Sequence, residues 1–268
     1  MPIIDRPDGA KIYYEVLGDG EPVICLGGWG TFCHGENRGL PFGLIDNFQT
    51  IIMDYRGIAE STDNYDTPAT ISMYAADAIA VLDDLGTRDV HLLGMVGIGA
   101  CICQQIALDR PDLARSLVNT GAWARADQLL TDQLHLFLDV HKEMGWAAFQ
   151  RLVCAMSFEP EFYNANIHRL LGEQGPWKEL RGNTEAHARF IESSLIHDVI
   201  DDLGKVTVPA LVLHAELDVV TGPRMTKPIE AALPNARGLT YADAAHVLAG
   251  KELRQRFSKD LLEFYKSV

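Results

Sequence analysis

The sequence predicts an α/β protein with a mostly parallel central sheet flanked by helices, interrupted by a helical insertion before its final strands. Three observations carry this. Short, continuously apolar runs alternate with helical patterns in the first 120 residues, as buried parallel strands and their crossover helices do. Between Asp127 and about Leu203 the strand signals stop, and amphipathic helical patterns follow one another. The segment Val90–Leu108 has the form of a strand, a tight turn and a helix, with Gly94, Gly97, Gly99 and Ala100 around the turn.

In chain order, Lys11–Val16 alternates apolar and polar residues and is soon followed by Gly18-Asp-Gly20, the pattern of an edge hairpin. Pro22–Leu26 is apolar throughout and reads as a strand buried on both faces, ending in Gly27-Gly28-Trp29-Gly30. Phe48–Asp54 is the next strand. Ile71–Leu85 has helical periodicity and stops at Gly86. Val90–Leu93 is a strand and Cys101–Leu108 a helix closing near Pro111; Ala114–Asn119 is another buried strand. Gln128–Met144, Trp146–Met156, Glu161–Leu171 and Glu185–Leu203 read as the insertion's helices. Pro209–Ala215 and Gly238–Tyr241 restore the sheet, and Leu253–Tyr265 closes the chain as a helix. Residues 1–126 and 204–268 are expected to form the core, and 127–203 a lid.

The chain has 268 residues, 47% of them hydrophobic, enough for one large domain with an insertion. A net charge of -14, scattered rather than blocked, argues against nucleic-acid or anionic-membrane surfaces. The start of the sequence shows no signal-peptide pattern, and no apolar run approaches a membrane span. Five cysteines without a regular framework suggest reduced thiols in a cytoplasmic protein. Cys101 and Cys103 lie in an apolar helix with no second pair to complete a metal site, so they read as core. His135, His141, His168, His187 and His197 show no compact ligand spacing. A small-molecule substrate is expected, with no cofactor and no metal, and a homodimer stays open.

The landmarks together resemble the lid-bearing branch of the α/β-hydrolase superfamily. They are the glycine-rich strand end at Gly27–Gly30, the turn Asp54–Ser61, the strand–elbow–helix unit, Asp218 after a late strand, and His246 near the C-terminus. The order elbow, acid, histidine is the one that fold uses. The family's G-x-S-x-G places its nucleophile on the elbow. Here, counting from Leu85-Gly86 puts Val96 there, and counting back from Asp109-Arg-Pro111 puts Gly97 there. Gly97 is preferred, because a β-branched residue at positive φ costs about 1–3 kcal/mol. Under either count the tip carries no hydroxyl, thiol or carboxylate, which excludes acyl-enzyme chemistry by the usual route.

The resemblance implies that Asp218 orients His246 as a base. It also implies that the backbone N–H groups of Trp29 and Ile98 (Gly97 in the other register), with Gly28 beside them, form an oxyanion hole. Asp218 and His246 could also persist as a surface pair without catalytic work, and Asp243 is a weaker competitor for the imidazole. Cys33 and His34 could face the pocket, but neighbours on an extended segment point opposite ways, so a direct couple is disfavoured. Trp123 could serve core or pocket equally. Arg125 could hold a carboxylate but reads better as a solvated arginine.

The small elbow residue, and Asn119-Thr-Gly-Ala-Trp123 after the next strand, resemble the aminoacrylate/carbamate hydrolases of pyrimidine utilisation. The overall layout is also similar to that of the enol-lactone and meta-cleavage hydrolases, which keep their serine. The expected chemistry is His-Asp activation of water, or proton abstraction, on a small activated substrate such as an enol lactone, carbamate, imine or β-keto acid. Lyase, decarboxylase or cyclase chemistry, and a non-catalytic ligand-binding or scaffold role, stay open as alternatives.

Overall fold

In the computed structural model, which describes residues 2–268, eight strands build a single sheet. They are Ile3–Asp5 (β1), Lys11–Leu17 (β2), Glu21–Leu26 (β3), Phe48–Met53 (β4), Val90–Met95 (β5), Ala114–Thr120 (β6), Ala210–Ala215 (β7) and Ala236–Tyr241 (β8). The strand order is β1-β2-β4-β3-β5-β6-β7-β8. The first two strands run antiparallel to their neighbours, and every pairing from β4 to β8 is parallel.

The apolar runs are continuous because both faces of the central strands are covered. Ile24, Leu26, Ile51, Leu92 and Val212 join one core, while their immediate neighbours Val23, Cys25, Ile52, Leu93 and Leu211 join another. This is the two-residue alternation of a strand read out on two sides of a sheet. Helices Ile71–Asp84 (α2), Ile98–Asp109 (α3) and Gly222–Ala232 (α8) contribute to the first core. Leu44–Asn47 (α1) and Lys251–Tyr265 (α9) contribute to the second.

Between β6 and β7 lie Gln128–Met144 (α4), Trp146–Ser157 (α5), Pro160–Leu170 (α6) and Thr184–Leu195 (α7). Local chemistry sets their ends. Asp127 accepts from the Leu130 N–H and Asn183 from the Ala186 N–H, as N-caps do, and Gly145 at φ 81 breaks the chain between α4 and α5. The insertion is pinned to the core by Arg189, whose Nε lies 2.6 Å from Asp63 Oδ2, and by Asn183 Nδ2, which donates to Gly57 O at 2.8 Å.

Two sequence expectations are corrected, and one element was unforeseen. The expected hairpin across Gly18–Gly20 does not form: β2 pairs with β1 and β4, so β4 lies between β2 and β3, and β1 is the edge. The helix expected over Glu185–Leu203 ends at Leu195. There tertiary contacts override the periodicity: the Val199 N–H donates to Ala124 O at 2.8 Å, and His197 Nε2 meets Gln104 Oε1 at 3.2 Å. Helix α8 was not anticipated, because Pro223 and Pro228 both fall within it. No helix of the described residues is long and apolar enough to cross a membrane.

Candidate active site

The elbow follows β5 directly. Gly97 has φ 63 and ψ −126 and immediately precedes α3, whose first turn begins with Ala100 N–H donating to Gly97 O at 3.1 Å. That backbone region is one that glycine occupies without penalty. Val96 also has a positive φ of 64. Two consecutive residues at positive φ absorb the extra residue that makes the two sequence counts disagree by one. The Val96 N–H donates to Thr120 O at 3.0 Å and the Gly97 N–H to Gly121 O at 2.9 Å, locking the turn to the end of β6.

Gly94 and Gly99, on either side of the turn, are steric necessities, since a Cβ on Gly94 would lie 2.4 Å from Ala100 Cα. A Cβ on Gly99 would lie 2.1 Å from Leu26 O, so α3 approaches the end of β3 as only glycine permits. A Cβ on Gly97 would meet only Trp123, at 3.7 Å from Cζ3 and 3.9 Å from Cη2, an ordinary contact. The elbow therefore has room for the side chain it lacks.

The loop after β3 reaches the same place. A Cβ on Gly28 would sit 3.6 Å from Val96 O, and the Gly30 N–H closes a tight turn onto Gly28 O at 2.9 Å. Neither the Trp29 N–H nor the Ile98 N–H finds a protein acceptor among the described residues. The Ile98 amide opens α3, where helix N–H groups have no partner within the helix. Trp29 is buried against Phe137, Phe149 and His187 of the insertion.

Asp218 and His246 come together from loops that follow β7 and β8. Those loops are sewn to each other by Glu216 N–H to Tyr241 O and Leu217 N–H to Ala244 O. Asp218 Oδ2 lies 3.0 Å from His246 Nδ1. Its Oδ1 accepts from the Val220 and Thr221 N–H groups at 2.8 and 2.9 Å, and Oδ2 accepts the Thr221 hydroxyl at 2.7 Å. Burial would raise this carboxyl, but the facing imidazole and the Thr221 donors outweigh it and hold it well below the usual carboxylate range.

The tautomer follows from the partners. Nδ1 faces the carboxylate and, at 3.3 Å, a Thr221 hydroxyl whose proton is already committed to that carboxylate. Nδ1 therefore carries the hydrogen, and Nε2 presents its lone pair. A Cβ on Gly121 would lie 3.2 Å from His246 Cε1 and 3.4 Å from Val96 Cα, so the imidazole and the elbow flank one small gap.

His246, the elbow residues Val96, Gly97 and Ile98, and the Gly28-Trp29 turn line a cavity of about 40 Å³. The insertion closes its far side with residues such as Leu134, Phe137 and Ser157. Trp123 is both core and wall, being 2% exposed while lining the cavity, and its Nε1 has no acceptor among the described residues. A cleft of about 700 Å³ adjoins, sharing Gly28, Trp29 and Trp177 with the inner cavity. In that cleft, burial raises the carboxyl of Glu179, whose Oε2 would lie 3.3 Å from a Cβ on Gly30.

The other sequence candidates lie elsewhere. Cys33 is fully buried, its thiol pushed up by burial, and it makes no couple with His34. His34 Nε2 instead meets Asp54 Oδ2 at 2.7 Å, in a network with Thr31 that braces the β3 loop. Arg125 is half exposed and pairs with Asp198 and Asp201, tying the end of the insertion to the core. Asp243 pairs with Arg256, leaving the imidazole to Asp218.

Sequence reasoning missed Thr221, Trp177 and Ser157. Thr221 had a signal, since a threonine three residues after an aspartate suits a local turn. The sequence had no signal for Ser157, a small residue at the end of an amphipathic helix. It also missed a buried pair in the insertion, His141 and His187, whose Nδ1 atoms are 3.0 Å apart beside Phe149.

The chain matches the model of the serine aminopeptidase S33 family over residues 45–252. Among curated proteins, RutD of Azorhizobium caulinodans, whose name reads "Putative carbamate hydrolase", is 28% identical over 240 residues, covering 90% of this chain and 89% of that one. Among solved structures, MGS-M2, an α/β-hydrolase from a Medee basin deep-sea metagenome library, superposes with a TM-score of 0.86 at 21% identity. That match covers 99% of this chain and 97% of its own. The enol-lactonase from Burkholderia xenovorans superposes at 0.85 with 17% identity, covering 99% and 100%.

Proposed function

The chain belongs to the serine aminopeptidase S33 family of α/β-hydrolase-fold proteins, and from that premise we propose that it is a hydrolase without a serine, using His246 as a general base. The observation that carries this reading is the free Nε2 of an Asp218-held His246 lining the same cavity as a side-chain-less elbow. In this reading His246 Nε2 takes a proton from water as the water oxygen attacks a substrate carbonyl. The carbonyl electrons move onto oxygen, where the Trp29 and Ile98 N–H groups receive the charge. Collapse expels the leaving group, which takes the proton back from the imidazolium. Asp218 fixes the tautomer and stabilises the charged imidazole.

The cavity supports a small, activated carbonyl. Its roughly 40 Å³ holds about three water-sized groups, enough for a carbonyl head and the water that attacks it. Without a covalent intermediate the difficult step is not divided in two, so a good leaving group or a reactive carbonyl is required. A carbamate bearing a good leaving group meets this and agrees with the name of the RutD relative; an enol lactone would place its remaining atoms in the outer cleft. Residues 127–203 act as the lid and residues 1–126 with 204–268 as the core.

His246→Ala, assayed on a panel of carbamates, enol lactones and activated esters, is expected to lose about 10²–10⁴ in kcat. Turnover unchanged by the substitution would remove His246 as the base. A folded wild type inert on the whole panel would favour a ligand-binding role.

A further inference from the structure

We propose that Ser157, contributed by the insertion, holds the attacking water against His246. The proposal rests on His246 acting as the base. A water in line for attack must give one hydrogen to the base and have its second hydrogen accepted elsewhere, so that its lone pair faces the carbonyl. The cavity wall offers few groups able to do this. Its side chains are aliphatic or aromatic apart from His246 and Ser157, and its indoles donate but do not accept. Ser157 Oγ is thus the one side-chain acceptor on that wall besides the imidazole.

Ser157 is 1% exposed, yet its hydroxyl makes no hydrogen bond to the protein among the described residues. A hydroxyl on a cavity wall with no protein partner is available to a molecule held in that cavity. The position of Ser157 relative to the base is fixed, since the Val247 N–H, next in chain to His246, donates to Ser157 O at 2.9 Å. The hydroxyl and imidazole are not bonded to each other among the described residues, and both residues line the same cavity of about 40 Å³. The lack of that bond argues against the serine being itself the nucleophile, because nothing activates it.

In the step so organised, one water O–H bond breaks as its proton passes to His246 Nε2, while the other O–H is donated to Ser157 Oγ. The water oxygen forms the new bond to carbon. Because Ser157 belongs to the insertion, the water is held only when the insertion is seated on the core.

The test uses 4-nitrophenyl carbamate with the wild type, Ser157→Ala, Ser157→Thr and His246→Ala, together with a high-resolution crystal structure of the wild type and of Ser157→Ala. Ser157→Ala is expected to lower kcat about 10–100-fold with KM within twofold, as loss of orientation does, and Ser157→Thr to restore most of it. The crystals are expected to show a water within hydrogen-bond distance of both Ser157 Oγ and His246 Nε2, absent from the alanine variant. If His246→Ala is inactive while Ser157→Ala keeps wild-type kcat, this proposal falls and the general-base reading stands. If His246→Ala keeps full activity, the general-base reading falls first. A raised KM at unchanged kcat, no bridging water in the wild type, or a fluorophosphonate adduct on Ser157 would each overturn the proposal.

Discussion

Gly97→Ser places a hydroxyl at the elbow position of the proposed site, and its consequences can be worked from the backbone. Residue 97 holds φ 63 and ψ −126, so any side chain there costs about 1–3 kcal/mol of conformational strain. The new Cβ would meet only Trp123, at 3.7 and 3.9 Å, so no steric overlap adds to that cost. For a domain of this size each kcal/mol lowers Tm by roughly 2–4 °C, so the variant should fold with a measurable but survivable drop. Its hydroxyl would stand in the gap flanked by His246, with the Ile98 and Trp29 amides alongside. Intact-protein mass spectrometry after treatment with a fluorophosphonate should then show one adduct, mapped to residue 97. Val96→Ser should give none, because Gly97 is the residue that directly precedes α3. A folded Gly97→Ser that stays unlabelled would show that His246 Nε2 does not converge with the elbow, and a label confined to Val96→Ser would move the nucleophile position by one.

Two further outcomes follow from the same geometry. Asp218→Asn keeps an acceptor for the Val220 and Thr221 N–H groups but turns an amide N–H toward His246 Nδ1; this moves the imidazole hydrogen to Nε2 and should cut kcat by about 10²–10⁴. An unchanged kcat with the fold intact would exclude Asp218 from orienting the base. The second outcome concerns stability. Burial pushes His187 down to about 3, and His91 and His197 to about 4, from an ordinary value of 6.5. The unfolded chain binds these protons near 6.5 and the native protein only near 3–4. Their contribution is therefore complete above pH 6.5 and lost as pH falls toward 4, at about 1.4 kcal/mol per pH unit for each residue. Urea titrations between pH 7 and 4.5 should show that decline, and a flat profile would contradict neutral buried imidazoles.

Much of this molecule is legible in local sequence. The apolar runs at Val23–Leu26, Val90–Leu93 and Ala210–Ala215 form buried strands because each packs against a core on both sheet faces. The vacancy at the elbow is a property of composition, since neither Val96 nor Gly97 can act as a nucleophile in any conformation. Other features were misread where distant contacts outweigh periodicity. The chain after Leu195 leaves its helix because Ala124, Arg125 and Gln104 engage residues 197–199. The strand β2 pairs antiparallel with β4, and β3 pairs parallel with β4 through a crossover, so the neighbour of β2 is not the strand that follows it in sequence.

The sequence by itself determined the fold class, the order in which the elbow, Asp218 and His246 follow one another, and the absence of a hydroxyl, thiol or carboxylate at residues 96 and 97. These depend on residue type and spacing along the chain. Only the tertiary structure decided that Thr221 secures the Asp218–His246 pair, that Trp123 borders the empty elbow, and that the insertion brings Ser157 to the same cavity. That chamber is assembled from segments far apart in sequence, and the direction of each side chain within it is set by packing against neighbours that no local pattern encodes.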